Sequence, residues 1–208
     1  MNIKTFVLSI MLSVSLMLLV FIGYRMYERH SFQPGLKKLS QENIAIIYCS
    51  HNNDGVKDAV DIVSKKLKAD VIELKSAVAY PSDSAEFLKR IEQENSDISR
   101  VVLDNQLIDI AKYKLIVLAT PVIQKQPCPV MQKFLNMNEA RFNNKPVAVI
   151  VKYEKGGNAS QTMQYFYYKL YRASKKPNFL TYSSDKKQLE HEFQIWFDEM
   201  KFTPKELK

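Results

Sequence analysis

The sequence predicts an α/β fold built on a doubly wound parallel sheet, and three observations carry that expectation. Several short runs rich in Ile, Val and Leu, such as residues 44–49 and 114–120, are almost free of polar side chains, as strands buried on both faces are. Segments with helical periodicity alternate with these runs. Polar, proline-rich or glycine-rich stretches follow the runs, and in open α/β sheets the loops at the strands' carboxyl ends are where ligands bind.

Residues 44–49 form the first strand, and the polar cluster 50–55 reads as a turn leading to a helix start. Val56, Ala59, Val60, Val63 and Leu67 then share one helical face. Residues 69–74 supply the second strand. A helix is expected over 82–95, opened by Ser82 or Asp83, with Phe87, Leu88 and Ile91 buried. Residues 96–113 lack a clean period and read as a surface connector. The run 114–120 looks central, and Pro121 is expected to end it; with three prolines, 121–129 reads as a shaped loop. Val130, Phe134 and Met137 mark the inner side of a helix over 130–137. Residues 146–152 form the fourth strand, and the loop that follows carries Gly156 and Gly157. An aromatic-rich helix over 159–174, a short strand over 178–182 and a helix from Ser183 or Ser184 to about Lys201 complete the chain. That last helix carries Leu189, Phe193, Trp196, Phe197 and Met200 on its apolar side.

The chain has 208 residues, 46% hydrophobic and 25% charged, with a net charge of +8. That is enough for one ordinary domain and an appendage. The basic balance fits nucleic acid, anionic lipid or acidic proteins, but no zinc spacing or RNA-binding signature accompanies it, so no nucleic acid partner is expected. His30, His51 and His191 have no metal spacing. Cys49 and Cys128 do not make a disulfide framework.

Residues 5–24 contain no charge; about 20 residues at roughly 1.5 Å each span about 30 Å, a bilayer's hydrocarbon thickness. No small-residue cleavage pattern follows, so an uncleaved transmembrane helix is expected rather than a signal peptide. Lys4 lies on one side and Arg25, Arg29, Lys37 and Lys38 on the other, which places the folded domain in the cytoplasm. The organisation is then an anchor with its flank over 1–30, a linker over 31–42, a folded domain over 43–202 and a tail over 203–208.

The soluble part resembles the flavodoxin-like family. The residues that carry the resemblance are 44–50 before a turn into a helix, 109–113 leading into 114–120, and Thr120-Pro121-Val122 with Pro127 and Pro129 beyond. Gly156-Gly157-Asn158 after the fourth strand and Tyr80-Pro81 before an acidic helix add to it. The resemblance implies five parallel strands in the order 2-1-3-4-5, helices on both faces, and FMN held by three loops. The first is Ser50, His51, Asn52, Asn53, Asp54 and Gly55; the second Pro121, Val122, Ile123, Gln124 and Lys125; the third Tyr153, Gly156, Gly157 and Asn158.

The family's phosphate loop reads Ser/Thr-x-Thr-Gly-Asn-Thr, and here only Ser50 matches in kind. A carboxylate at Asp54 facing a phosphate at about 4 Å costs on the order of 4 kcal/mol at an effective dielectric near 20, unless Asp54 turns away to cap the helix. The usual ring-stacking aromatic is replaced by Ile123, with Tyr153 available from the third loop. The function implied is membrane-tethered electron transfer, or reduction of a small acceptor, with a possible redox partner protein and with no catalytic side chain required. The alternative is a cofactor-free binding or scaffolding module at the membrane. Cys49 and Cys128 fall near the carboxyl edge, either as a redox pair or as inert thiols, with a reducing cytoplasm favouring thiols.

Overall fold

The computed structural model describes residues 15, 17–22, 43–51, 54–104, 108–171, 177–183 and 186–199. The chain divides into two units, Met1–Lys38 and Leu39–Lys208. In the first, residues 15 and 17–22 are helical. Most of the expected span 5–24 lies outside the described residues, and among the described residues no helix is long and apolar enough to cross a membrane.

The second unit is a parallel sheet wrapped by helices. In chain order it comprises β1 (Ile44–Tyr48), α1 (Val56–Leu67), β2 (Asp70–Glu73), α2 (Ser84–Ser96), β3 (Leu115–Ile123) and β4 (Gln126–Pro127). There follow α3 (Pro129–Asn138), β5 (Val147–Lys152), α4 (Ser160–Lys169), β6 (Asn178–Tyr182) and α5 (Lys186–Glu199). The sheet order is β2-β1-β3-β5-β6, parallel throughout, with β4 paired antiparallel to β3. It differs from the expected five strands by this added two-residue strand.

The strands obey the burial their composition demands. Every residue of β1 is buried, as are the first seven of β3. Ala45, Ile47, Ile116, Leu118, Val149 and Val151 form one core with Met131, Phe134 and Phe166. Their neighbours along each strand point to the opposite face, where α1 packs on the sheet and against α5. Val56, Ala59, Val60, Val63 and Leu67 are all buried on α1, and Leu189, Phe193 and Trp196 on α5.

Several expectations are corrected. Residues 96–113 are no surface connector: Val101, Leu103, Ile108, Ile110 and Tyr113 are buried in the main core. A polar, aperiodic sequence hid single apolar anchors there. Met137 is exposed on α3, and Leu88 on α2. Pro121 does not end β3. Ala119 O accepts from Cys49 N, so Ala119, and by alternation Pro121, face β1; β1 has already ended opposite Ala119. The N–H that proline lacks is therefore not needed, and β3 continues to Ile123 before turning back into β4.

Cys49 and Cys128 are joined in a disulfide, their Cα atoms 6.9 Å apart. The two reach each other because the end of β1 and the N-cap of α3 both flank Thr120. Thr120 Oγ1 accepts from Cys128 N at 3.1 Å and donates to Pro121 O at 3.0 Å. The inert-thiol reading is thereby overturned.

Candidate functional site

The carboxyl ends of β1, β3, β5 and β6 open onto a cleft of about 810 Å3. From the expected loops it is lined by His51, Asp54, Gly55, Pro121, Val122, Ile123, Gln124 and Tyr153. Lys152, Glu154 and Ser183 join them, and α2 adds Ser84, Phe87 and Leu88. Asn52 and Asn53 lie outside the described residues. Ser50, Lys125, Gly156, Gly157 and Asn158 do not line the cleft.

The first loop is organised by the Asp54 carboxylate. Its Oδ1 accepts from Ser50 Oγ and from Val56 N, each at 3.0 Å, and its Oδ2 from His51 N at 2.8 Å. Asp54 thus satisfies the first N–H of α1, as the capping alternative expects, although the N-cap position itself is Gly55 at φ 81°. That left-handed angle suits glycine, and a Cβ there would lie 3.4 Å from Lys152 Cε. Tyr182, buried at the end of β6, donates its hydroxyl to Gly55 O at 2.9 Å and fixes the loop to the far side of the sheet. Burial keeps that hydroxyl protonated, raising its pKa well above the usual phenol value.

The second loop is a tight hairpin. Gln124 and Lys125 take φ of 49° and 67°, the pair of positive angles that two-residue hairpins favour. This turns Val122 and Ile123 toward the cleft and leaves Lys125 exposed. In the third loop Tyr153 N donates to Tyr182 O at 3.0 Å, extending the β5–β6 pairing to the rim. The glycines lie past it: Gly157 N closes a turn on Glu154 O at 2.9 Å, and Asn158 Oδ1 accepts from Ser160 N at 3.1 Å at the start of α4.

The fourth wall escaped the sequence reading. Phe87 stacks flat on His51, ring centroids 3.8 Å apart and planes 4° from parallel, and Tyr80 meets both edge-on at 5.6 and 5.9 Å. Arg90 and Glu94 hold this cluster. Glu94 is 3% exposed and accepts from Tyr80 OH at 2.7 Å and Arg90 Nε at 2.8 Å. The Arg90 guanidinium lies 4.2 Å from the Tyr80 ring centre and also donates to Ala79 O, Val78 O and Ser76 Oγ. Phe87 to Glu94 spans two helical turns, so a sequence signal existed in their i, i+3, i+7 spacing with Arg90.

Burial lowers the His51 pKa, with Asp54 acting weakly in the opposite sense. The imidazole is neutral at pH 7. Its Nε2 is buried and has no hydrogen-bond partner among the described residues. This is a polar atom without an internal reason to be there.

No family model matches the chain, and no curated protein does. Solved structures do. A proposed flavoprotein from Bacteroides eggerthii aligns with TM-score 0.60 at 15% identity, over 74% of this chain and 97% of its own. One from Bacteroides uniformis aligns with TM-score 0.58 at 18% identity, over 74% and 98%. A flavoprotein in complex with FMN from Lactobacillus acidophilus aligns with TM-score 0.54 at 19% identity, over 72% and 97%. The fold is flavodoxin-like. At these identities the likeness is one of architecture.

Proposed function

We propose that the rim cleft binds the isoalloxazine ring of a flavin, FMN being the first to test, and that the chain transfers electrons or reduces a small acceptor. The observation that carries this reading is a cleft at the carboxyl rim of a flavodoxin-like sheet, walled by the flat stack of Phe87 on His51. A planar heterocycle suits such a site, where apolar faces would meet Val122, Ile123, Leu88 and Phe87. The fit is uneven, because the phosphate end of FMN meets the Asp54 carboxylate where free amides would serve it best.

Bound there, a flavin supplies the electron transfer, so no side chain has to be catalytic. The protein's part is to orient and to exclude water. Ile123 and Val122 would cover the ring, and Tyr153 and His51 would flank it. We further propose that residues 5–24 anchor the domain to a membrane, on the strength of their length and lack of charge.

Reconstitution tests the cofactor. Full-length protein incubated with FMN and passed through a desalting column should retain a visible flavin spectrum that bleaches with dithionite and returns in air. Colourless protein after the same treatment with FMN and with riboflavin, with no quenching of either flavin's fluorescence, defeats the reading. The second reading, a cofactor-free binding module, is favoured by one observation: the first amide of α1, that of Val56, and the loop amide of His51 are already engaged by Asp54.

A further inference from the structure

Resting on the flavin reading, we propose that the cleft accepts a flavin lacking the terminal phosphate, riboflavin rather than FMN. Asp54 already occupies the anion seat at the start of α1 and serves as its built-in occupant. The start of a helix attracts anions because its first N–H groups are unsatisfied and the helix dipole places positive potential there. α1 is twelve residues long and ends its first loop at this cleft. Its first N–H, that of Val56, is taken by Asp54 Oδ1, and the amide of His51 by Oδ2. Ser50 Oγ, the short hydroxyl nearest to hand, also donates to Oδ1. Three donors suited to a phosphate thus converge on one carboxylate of the same loop, held there by covalent connection.

Charge points the same way. The cleft lining carries two carboxylates, Asp54 and Glu154, against one ammonium, Lys152, a formal balance of −1. Lys152 Nζ donates to Tyr153 O at 2.9 Å, so part of its donor capacity is spent on the third loop. The His51 imidazole, its pKa lowered, adds no positive charge at pH 7. A phosphate monoester dianion entering this lining meets net repulsion, and it finds the amides of Val56 and His51 already taken by Asp54. A sugar-alcohol chain ending in a hydroxyl meets neither penalty, and it can donate to the Asp54 carboxylate as Ser50 does.

The test is a pair of fluorescence-quenching titrations of full-length protein with riboflavin and with FMN, on the wild type and on Asp54→Asn. Wild type should bind riboflavin at least as tightly as FMN. The substitution should shift the ratio of FMN to riboflavin affinity toward FMN by about tenfold, the scale of removing one nearby charge at partial exposure. A wild type that prefers FMN by tenfold or more overturns the inference and leaves the flavin reading standing. Failure of both flavins to bind ends the flavin reading itself. The wild-type ratio decides the matter even if the variant does not fold.

Discussion

Reduction of the Cys49–Cys128 bond is the perturbation whose size follows most directly from the structure. The bond spans 79 residues of sequence and ties the end of β1 to the start of α3, across the central strand. Closing a loop of that length in the unfolded chain removes entropy worth about 4.5 kcal/mol at 25 °C, if native-state strain is neglected. With a urea dependence of about 2 kcal/mol per M, the unfolding midpoint should fall by about 2 M on reduction. The assay is urea unfolding followed by tryptophan fluorescence, in matched samples with and without reductant, with thiols counted by mass after alkylation. An unreduced sample that alkylates at two cysteines, or a midpoint that ignores reductant, refutes the reasoning. The same bond bears on topology. Disulfides of this kind persist in oxidising compartments, which argues against the cytoplasmic placement that the flanking basic residues suggest. Labelling intact cells with a thiol reagent before any reduction should therefore leave both cysteines unmodified.

Other perturbations probe the walls of the cleft. Arg90→Met strips the partner from the nearly fully buried Glu94 and should cost about 3–5 kcal/mol, whereas Arg90→Met with Glu94→Leu should recover most of that loss in urea unfolding. If the double variant is no more stable than the single, the pair is not what holds Tyr80 and Phe87 in place. Gly55→Ala forces a Cβ onto a residue at φ 81° and should cost about 1–2 kcal/mol, seen as a lower Tm with the fold retained by circular dichroism. For His51, the lowered pKa means that below the ordinary value of 6.5 the unfolded chain takes up a proton before the native state does. Stability is then fully present above that pH and is lost as pH falls through it. His51→Asn should flatten this dependence, and identical pH profiles for the two proteins would contradict it.

How much of this was legible in the sequence differs from loop to loop. β1, α1 and β6 are plain in the residues because burial on two faces, or on one helical face, leaves a periodic trace. The buried stretch around Val101, Leu103 and Ile110 leaves none, since each apolar residue docks singly between turns. Pro121 misled because a rule about interior strands was applied to a position whose neighbour strand had already ended. The rim loops named from the sequence do meet at Asp54, Ile123 and Tyr153. Gly156 to Asn158 miss the cleft because their backbone is spent on turning into α4. Phe87 reads as a core residue in a helical pattern; only the tertiary placement of His51 shows that it stacks beside the cleft. The position of the Asp54 carboxylate was open in the sequence, because capping a helix and filling its anion seat call for the same residue at the same place.

The property to measure first is whether the rim cleft accepts a flat isoalloxazine ring. Lumiflavin, which is that ring without sugar chain or phosphate, isolates the question from everything Asp54 does. Titrated with full-length protein, its fluorescence should quench to saturation, and Ile123→Asp should abolish the quenching while leaving the fold intact. Unchanged lumiflavin emission at protein concentrations up to the millimolar range, or quenching that survives Ile123→Asp undiminished, contradicts the placement of the ring.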